Sequence, residues 1–417
     1  MLAISPLFSF LNRSLRPSLT KHPYSTHVDQ YRGLCALLVL INHATVHEDL
    51  LLDHFKWPVF VGYFGSPYLS VLVFFCISGY VIGVTNDTPK LNIAKYLKKR
   101  AVRLYPIYLV SIGLCLFITW KVPAYVIIGN IFFLQNGESI PLFVNYSTWT
   151  LHYEALYYLL FIALFYLRPR IGILLAAMLV VCFLLNNNSN STLNYIFFYT
   201  NYFYFWILGL IVGWNLFSNA PPKERFVPIL SLLFLQLCCT HLGMGTMLLH
   251  ITGIHSFDSF SGLFYLPFCL MVMCILTGKD NAFLRINKII CYLSPLCVFL
   301  FLGLHHRLFE DIRWPMCLIY WVLSLALYYE KRISALVLRA LTHAGKISYA
   351  VYLLHVPVAL FIKQTLFIAD QRVELVVKYT LWLFITFGAS ILLEQYLQPK
   401  IKAFFFAGTV KTPVMVE

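Results

Sequence analysis

Long apolar runs constrain this chain more than any other feature. Runs of roughly 16 to 20 mostly apolar residues recur between Tyr31 and Tyr396, and a helix of that length is about long enough to cross a hydrocarbon core of roughly 30 Å. The composition agrees, because 60% of the residues are apolar and only 12% are charged, about half the charged share of a soluble domain. The sequence therefore predicts an all-α, polytopic transmembrane bundle in a lipid bilayer.

The runs predict about 12 spans, with 10 or 11 as alternatives. A further stretch, 122–134, has only about 13 apolar residues, which is typical of a re-entrant or interfacial segment. The predicted spans lie near 32–48, 67–85, 103–119, 148–167, 170–185, 197–216, 227–243, 262–277, 289–304, 314–329, 347–366 and 375–398.

The distribution of basic residues sets the predicted orientation. With 122–134 treated as non-spanning, 24 of the 31 Lys and Arg residues fall in cytoplasmic segments and 7 fall outside. Counting 122–134 as a span would invert everything after it, against the positive-inside bias. We therefore expect both termini to be cytoplasmic. The net charge of +14 follows from these clusters and does not indicate a nucleic-acid partner.

Three segments are expected along the chain: a cytoplasmic tail at 1–28, one membrane domain at 29–400 and a second cytoplasmic tail at 401–417. In the first tail the apolar patch precedes Arg13 and Arg16, the reverse of the order in a signal peptide. The eleven cysteines lie mostly in apolar stretches with no CxxC pair. They are predicted to be buried reduced thiols, and no metal site is expected.

Ionisable groups at membrane depth are costly and therefore point to function. Arg32 and His43 are 11 residues apart, about three helical turns, so they share one helix face about 16 Å apart. Asp29 lies one turn before Arg32 and is expected to pair with it. With the amino terminus inside, Arg32 would lie at the cytoplasmic surface and His43 deeper, toward the outer half.

A basic cluster opens the third predicted span. Arg100 and Arg103 are one turn apart, with Lys99 beside them. The cluster is a positive-inside anchor, and the two guanidinium groups are also spaced to hold a polyanion jointly.

Glu154 is an acidic residue inside an apolar run, about one and a half turns from the outer surface. Trp149 is expected at the interface, while Tyr157 and Tyr158 follow one turn deeper and are expected to hydrogen-bond the carboxylate. Glu154 would thus lie at a depth similar to that of His43.

Two weaker candidates lie near the carboxyl terminus. Ser348, Tyr352 and His355 share a helix face by their i, i+4, i+7 spacing; a polar seam between helices and a substrate contact explain them equally well. Glu394 is adequately explained by helix termination and by pairing with a basic loop.

At these positions the chain resembles the acyltransferase 3 family of integral membrane acyltransferases, with the matching motifs in the family's order. They are Asp29-x-x-Arg32-x10-His43, Phe74-Phe75-x-x-Ser78-Gly79, Arg100-x-x-Arg103 with Pro106, Trp149-Thr-Leu-x-x-Glu154 with Tyr158, Phe205 to Gly209, Ile347-Ser-Tyr-x-x-Tyr352-Leu-Leu-His355, and Glu394 with Pro399. Two departures, Ala155 in place of a second Glu and His152 in place of a small polar residue, bear on acceptor specificity.

The resemblance implies acyl transfer, usually of acetyl from acetyl-CoA, to a hydroxyl of a carbohydrate or lipid-linked glycan such as lipopolysaccharide O-antigen or exopolysaccharide. Acetyl-CoA, or another acyl-CoA, would be a co-substrate, with no bound cofactor. Arg32, Arg100, Arg103 and Lys99 would hold the donor at the cytoplasmic side, and the bacterial inner membrane is the expected location.

Within this resemblance, His43 would be the general base, Glu154 would orient the imidazole or the sugar, and Asp29 would complete the catalytic set. Trp149, Tyr158, Ser348 and His355 would line the acceptor pocket. An acyl-enzyme intermediate on His43 is the less favoured route, because no GxSxG element occurs.

Two other classes fit the many spans less well. A glycan or small-molecule transporter or flippase would also bury polar residues, but the spans show no internal repeat. A purely structural scaffold gives no reason for the shared face of Arg32 and His43.

Overall fold

The computed structural model describes residues 9–19, 23–46, 50–52, 55–119, 121–135, 145–186, 190–216, 226–253 and 255–406. Helices account for the regular structure of these ranges, which contain no β-strand, so the predicted all-α class is confirmed. Residues 1–8, 20–22 and 407–417 of the two predicted tails lie outside the described residues.

The described ranges contain sixteen α-helices, two 3₁₀ segments and one π-helical turn. The helices are α1 (Thr26–Val46), α2 (Val59–Gly62), α3 (Pro67–Thr85), α4 (Ile93–Ile118), α5 (Ala124–Ile131), α6 (Trp149–Leu167), α7 (Ile171–Leu185), α8 (Ser191–Gly213), α9 (Ile229–Leu242), α10 (Met244–Ile251), α11 (Leu266–Leu276), α12 (Ala282–Leu304), α13 (Arg313–Ala326), α14 (Arg332–Thr365), α15 (Gln371–Ile391) and α16 (Gln398–Phe406). The 3₁₀ segments are Tyr146–Thr148 and His255–Tyr265, and the π turn is Leu392–Leu397.

Among the described residues, eight helical segments are long and apolar enough to cross a membrane, or nine if the bent pair α9 and α10 forms one span. The chain is therefore a multi-pass membrane protein. The eight segments are Val59–Thr85, Ile93–Ile118, Tyr146–Leu167, Leu193–Gly213, Asp258–Leu276, Ala282–Leu304, Arg332–Thr365 and Gln371–Phe406.

This number is lower than the predicted 10 to 12, for two physical reasons. The helix at the first predicted span, α1, carries Asp29, Arg32 and His43. Because of these polar groups, α1 is not among the helices that are apolar enough to cross a membrane. The helices α7 and α13 have 15 and 14 residues, or about 22 and 21 Å at 1.5 Å per residue, short of the hydrocarbon thickness. Helix α5, within 122–134, has 8 residues and covers about 12 Å, so this segment forms no spanning helix, as predicted.

The chain packs as two compact units. The first comprises Met1–Val46, Lys56–Leu91 and Tyr153–Gly345, and the second comprises His47–Phe55, Asn92–His152 and Lys346–Glu417. Helices α6 and α14 each contribute residues to both units.

In the first unit, α3 and α8 pack closely through two pairs of glycines. A Cβ atom at Gly79 would clash with the carbonyl oxygen of Trp206, and one at Gly209 would clash with the carbonyl oxygen of Cys76. One turn further along, the Cα atom of Gly213 would lie 3.0 Å from a Cβ at Gly83. Both helices thus carry glycines at four-residue spacing, which allows backbones to approach in a membrane where small residues form the helix contacts.

Three prolines lie inside helices: Pro106, Pro295 and Pro357. A proline has no N–H and leaves the carbonyl four residues earlier without its helical donor, a costly state in a membrane interior. Here each such carbonyl accepts a side-chain hydrogen bond. Val102 O accepts from Gln398 at 2.6 Å, Cys291 O from Ser294 at 3.3 Å, and Leu353 O from Asn145 at 2.7 Å and Ser111 at 3.0 Å.

The eleven cysteines are all free thiols, and ten of them are buried. The prediction of buried reduced thiols is confirmed for these ten and wrong for Cys297, which is exposed.

Candidate active site

The start of α1 holds an ion pair that is tied to the backbone of α14. Arg32 Nη2 lies 2.8 Å from Asp29 Oδ1, the predicted one-turn pair, and also donates to the carbonyl oxygen of Gly345 at 3.0 Å. A Cβ atom at Gly33 would lie 2.5 Å from the Gly345 nitrogen, so the two backbones are in close contact. This contact holds the guanidinium group in one position.

Tyr24 extends the ion pair toward the loop before α1. Its hydroxyl hydrogen-bonds the Asp29 carboxylate. Burial raises the pKa of this phenol above its ordinary value, the Arg32 charge opposes that rise, and the Asp29 carboxylate adds to it. The neutral phenol keeps its proton and donates a hydrogen bond to the carboxylate. Asp29 therefore has two partners, Tyr24 and Arg32, and is positioned as a structural anchor for the arginine.

His43 lies in the last turn of α1 and is buried, at 9% exposure. Helix α1 is unbroken from Thr26 to Val46, so Arg32 and His43 share one face about 16 Å apart, as the spacing predicts. Their roles as donor site and general base stay predictions.

Glu154, on α6, is held by hydroxyl groups from two helices. Ser78 Oγ on α3 donates to Glu154 Oε1 at 2.8 Å, and the Tyr158 hydroxyl, one turn along α6, donates to the same oxygen. Trp206 Nε1 on α8 donates to Ser78 Oγ at 3.3 Å. Ser78 is thus the hub of a chain of hydrogen bonds that runs from α8 to the carboxylate.

One carboxylate oxygen of Glu154 accepts both of these hydrogen bonds. Both hydroxyl groups donate to Oε1, and among the described residues no hydrogen bond to Oε2 occurs. The side chain is half-buried. Of the two tyrosines predicted to bond Glu154, Tyr158 is confirmed; Tyr157 is wrong, because its hydroxyl donates to the carbonyl of Tyr199 at 2.8 Å.

In the second unit, Arg103 on α4 is paired with the buried Glu394. Arg103 Nη1 lies 2.8 and 3.1 Å from the two carboxylate oxygens, and the guanidinium group is 4.9 Å from the ring centroid of Tyr349. The cationic partner of Glu394 is thus Arg103 on α4, not the basic loop expected from the sequence. Glu394 lies in the π turn Leu392–Leu397, an irregularity frequent at functional sites.

The three cations of this cluster have different surroundings. Arg100 lies 5.8 Å from the ring centroid of Tyr96, while Lys99 is exposed. Arg100 and Arg103 lie over different aromatic rings, those of Tyr96 and Tyr349, and a joint role in holding an anion stays a prediction.

The remaining candidates of the second unit are His355, Ser348 and Trp149. His355 Nδ1 donates to the carbonyl of Val351 at 3.0 Å, which leaves Nε2 to accept from Ser147 at 3.4 Å. Ser348, on the same face of α14, is buried, and Trp149 at the start of α6 is half-buried. The hydrogen bonds of His355 match the structural alternative, a seam between helices.

The predicted site residues are divided between the two units. Asp29, Arg32, His43, Glu154 and Tyr158 belong to the first, and Lys99, Arg100, Arg103, Trp149, Ser348 and His355 belong to the second. The structure brings Asp29 to Arg32 and Tyr158 to Glu154. It also brings Ser78, which was seen in the sequence only as part of a motif, to Glu154, and it pairs Glu394 with Arg103.

A signal for the contact between Trp206 and Ser78 was present in the sequence. The spacing Gly79-x3-Gly83 on α3 and Gly209-x3-Gly213 on α8 is typical of helices that pack together in membranes. Pairing α3 with α8 brings Trp206 to Ser78. No comparable signal links Glu394 to Arg103.

Helical secondary structure, multiple apolar spans and a carboxylate held between α3 and α6 define a helical membrane protein with a buried polar site. Comparison with known families makes this specific: the sequence profile of the acyltransferase 3 family, described as "Acyltransferase domain", matches residues 26–302. The chain belongs to this family and is an acyltransferase. A curated relative, the "Putative acetyltransferase ORF330" of Acidianus two-tailed virus, is 26% identical over 241 residues, covering 55% of this chain and 69% of the relative. No solved structure matches.

Proposed function

We propose that this acyltransferase moves an acetyl group from cytoplasmic acetyl-CoA to a hydroxyl of a cell-surface glycan. The observation that carries the proposal is the unbroken helix α1, which aligns the Asp29–Arg32 ion pair with the buried His43 on one face. An arginine anchored at one end and an imidazole about 16 Å away suit a long, thin donor that is charged at one end and reactive at the other. The family match, 26–302, covers all of α1.

In the proposed reaction, neutral His43 accepts the proton of the acceptor hydroxyl as its oxygen attacks the thioester carbonyl. A C–O bond forms and the C–S bond breaks, so CoA leaves as a thiolate and takes up the proton that His43 received. The enzyme returns to its starting state without a covalent intermediate. The burial of His43 supports this role, because it places the imidazole in a site shielded from bulk water.

Glu154 is proposed to position the acceptor or the imidazole through Oε2, while Ser78 and Tyr158 fix Oε1. A carboxylate held by two hydroxyl groups keeps one orientation, which is what a positioning group needs. Trp149, Tyr158, Ser348 and His355 are proposed as acceptor-pocket residues, although the bonds of His355 also fit a purely structural role.

The donor is proposed to bind through its phosphates to Arg32, Arg100, Arg103 and Lys99. Arginine suits phosphate because its donors match the phosphate oxygens in pairs. Acetyl-CoA would be a co-substrate and not a resident cofactor.

The acceptor class, lipopolysaccharide O-antigen, exopolysaccharide or a lipid-linked glycan, is proposed from the family. So is the location, a bacterial inner membrane with both termini in the cytoplasm. There the membrane would separate cytoplasmic acyl-CoA from glycans on the outer side, and the acyltransferase domain would extend over 29–400. The family match favours this enzyme over the transporter alternative.

The test is transfer of radiolabel from acetyl-CoA to membrane glycan by the His43→Ala variant. We expect normal expression and loss of both transfer and donor hydrolysis. The matched control is His305→Ala, an exposed histidine, which should retain activity. Wild-type turnover by His43→Ala would refute the proposed base. Trapping of an acetylated enzyme would instead establish the covalent route.

A further inference from the structure

An apolar cavity of about 450 Å³ lies in the first unit. It is bounded by the helix pair α9 and α10, the 3₁₀ segment His255–Tyr265 and the helices α11 and α12. Its size is within the range of small-molecule binding pockets. None of the residues assigned to the acyl-transfer site lines it.

The backbone around this cavity is irregular on two sides. Helices α9 and α10 meet at a 52° bend, centred on Gly243 with φ +60°, a conformation that favours glycine. The 3₁₀ segment runs for 11 residues, whereas such runs rarely exceed 3–4 residues. A Cβ at Gly245 would clash with the carbonyl of Ser261, so α10 packs tightly on this segment. Irregular backbone at membrane depth is tolerated where it is buried in protein or lines a cavity.

The lining offers an apolar surface and keeps its hydroxyl groups engaged. The Tyr265 hydroxyl donates to the carbonyl of Cys239 at 3.3 Å, and Ser294 Oγ donates to the carbonyl of Cys291 at 3.3 Å, the carbonyl released by Pro295. Both donors are therefore engaged with the protein. Such a lining suits a ligand without hydrogen-bonding groups.

Two of the residues that line the cavity are also exposed at the surface. Phe264 is 41% exposed and Ile290 is 53% exposed, and both line the cavity. Ile290 continues an exposed apolar face of α12 that includes Leu293 and Leu300. In a membrane-spanning helix such a face contacts lipid, so an occupant can enter sideways from the bilayer.

We propose that this cavity binds one hydrocarbon chain of a bilayer lipid. The chain of a phospholipid and the polyprenyl chain of a lipid carrier share this chemistry and are the two sources to distinguish. The site goes beyond the acyl transfer proposed above, because none of the residues assigned to that reaction lines the cavity.

The test is photo-crosslinking of the full-length protein in lipid nanodiscs. One arm contains a phospholipid with a diazirine in its acyl chain, and the other contains a polyprenyl phosphate with a diazirine in its tail. We expect one or both probes to label the cavity peptides of α10 and the 3₁₀ segment severalfold above the exposed face of α12 around Leu300.

The matched variants are Leu263→Trp, which fills the cavity, and Leu300→Trp, which adds the same side chain at a site 57% exposed. Labelling of the cavity peptides should fall severalfold in Leu263→Trp and stay unchanged in Leu300→Trp. Stronger labelling by the polyprenyl probe would identify a lipid carrier as the occupant, and stronger labelling by the phospholipid a structural lipid. Labelling no higher than on the face around Leu300, in wild-type protein, would overturn the proposal whether or not the variants fold.

Discussion

Ser78 offers the sharpest test of how the site is held together. Its hydroxyl donates to Glu154 Oε1 at 2.8 Å and accepts from Trp206 Nε1 at 3.3 Å. The Ser78→Ala variant removes both bonds and leaves the Tyr158 hydroxyl as the donor to that oxygen. We therefore expect the carboxylate to lose its fixed orientation while the helices stay packed.

The size of the effect follows from the bond that is lost. A hydrogen bond to a charged group contributes about 1.5–3 kcal/mol, and about 1.36 kcal/mol corresponds to a factor of ten. If that energy orients Glu154 in the transition state, kcat falls roughly 10- to 150-fold. The KM for acetyl-CoA should change little, because Glu154 is proposed to act on the acceptor side.

The assay compares the acetyl-transfer rate per folded protein, at saturating acetyl-CoA, with thermal stability. The control is Ser70→Ala on the same helix: Ser70 is fully buried and accepts from Gln236 at 2.9 Å. This variant should lose about 1 kcal/mol of stability and retain activity. Ser78→Cys keeps a weak donor and should recover part of the rate. If Ser78→Ala turns over at the wild-type rate, or loses no more activity than Ser70→Ala, the positioning role is refuted.

Three further predictions concern charge, pH and the proline sites. Lys279, in the loop before α12, hydrogen-bonds Asn215, and burial lowers its pKa from 10.5 to about 8. Between these two pH values the unfolded chain holds the proton of Lys279 while the folded chain has lost it. The free energy of unfolding should therefore rise by about 1.3 kcal/mol from pH 7 to pH 9. The rise should appear as a higher melting temperature at pH 9 than at pH 7, and Lys279→Met should abolish it. The same pH profile in wild-type protein and in Lys279→Met would contradict the role of Lys279. Arg103→Gln and Glu394→Gln should each destabilise the protein, because the side chain of Glu394 is only 4% exposed and each variant removes one partner of the ion pair. The double variant should show a coupling free energy of about 1–3 kcal/mol between the two sites. Additive losses of stability would show that the ion pair contributes nothing. Gln398→Met should lower the free energy of unfolding by about 1 kcal/mol in the wild-type background. In the Pro106→Ala background the loss should be much smaller, because the new N–H of residue 106 can donate to the Val102 carbonyl. Equal losses in the two backgrounds would exclude this compensation.

Contacts within one helix were predictable because the helix itself fixes them. Asp29 and Arg32, or Glu154 and Tyr158, are three and four residues apart, and any regular helix places such residues side by side. The apolar composition likewise predicted the helical class and the membrane. Family membership followed from the order of motifs, which is also a property of the linear chain.

Contacts between helices depended on how the helices cross. Glycines at 79 and 209 let α3 approach α8, and that approach brings the Trp206 indole to Ser78, whose hydroxyl donates to Glu154. In the same way, packing within the second unit decided that Glu394 pairs with Arg103 and that Asn145 serves the carbonyl released by Pro357. A single sequence records neither the crossing point nor the rotation of a helix.

The number of long apolar helices among the described residues differs from the predicted number of spans for a related reason. Hydropathy measures how apolar a run is, whereas the length of a helix and its end points depend on tertiary contacts. The runs at 170–185 and 314–329 form helices of 15 and 14 residues, too short to cross a bilayer unaided. Helix α1 contains Arg32 and His43, the two residues that most strongly suggested function, and these polar groups set it apart from the apolar spans. The sequence determined where the polar groups lie along each helix, and the tertiary structure decided which groups they meet, because those partners come from distant parts of the chain.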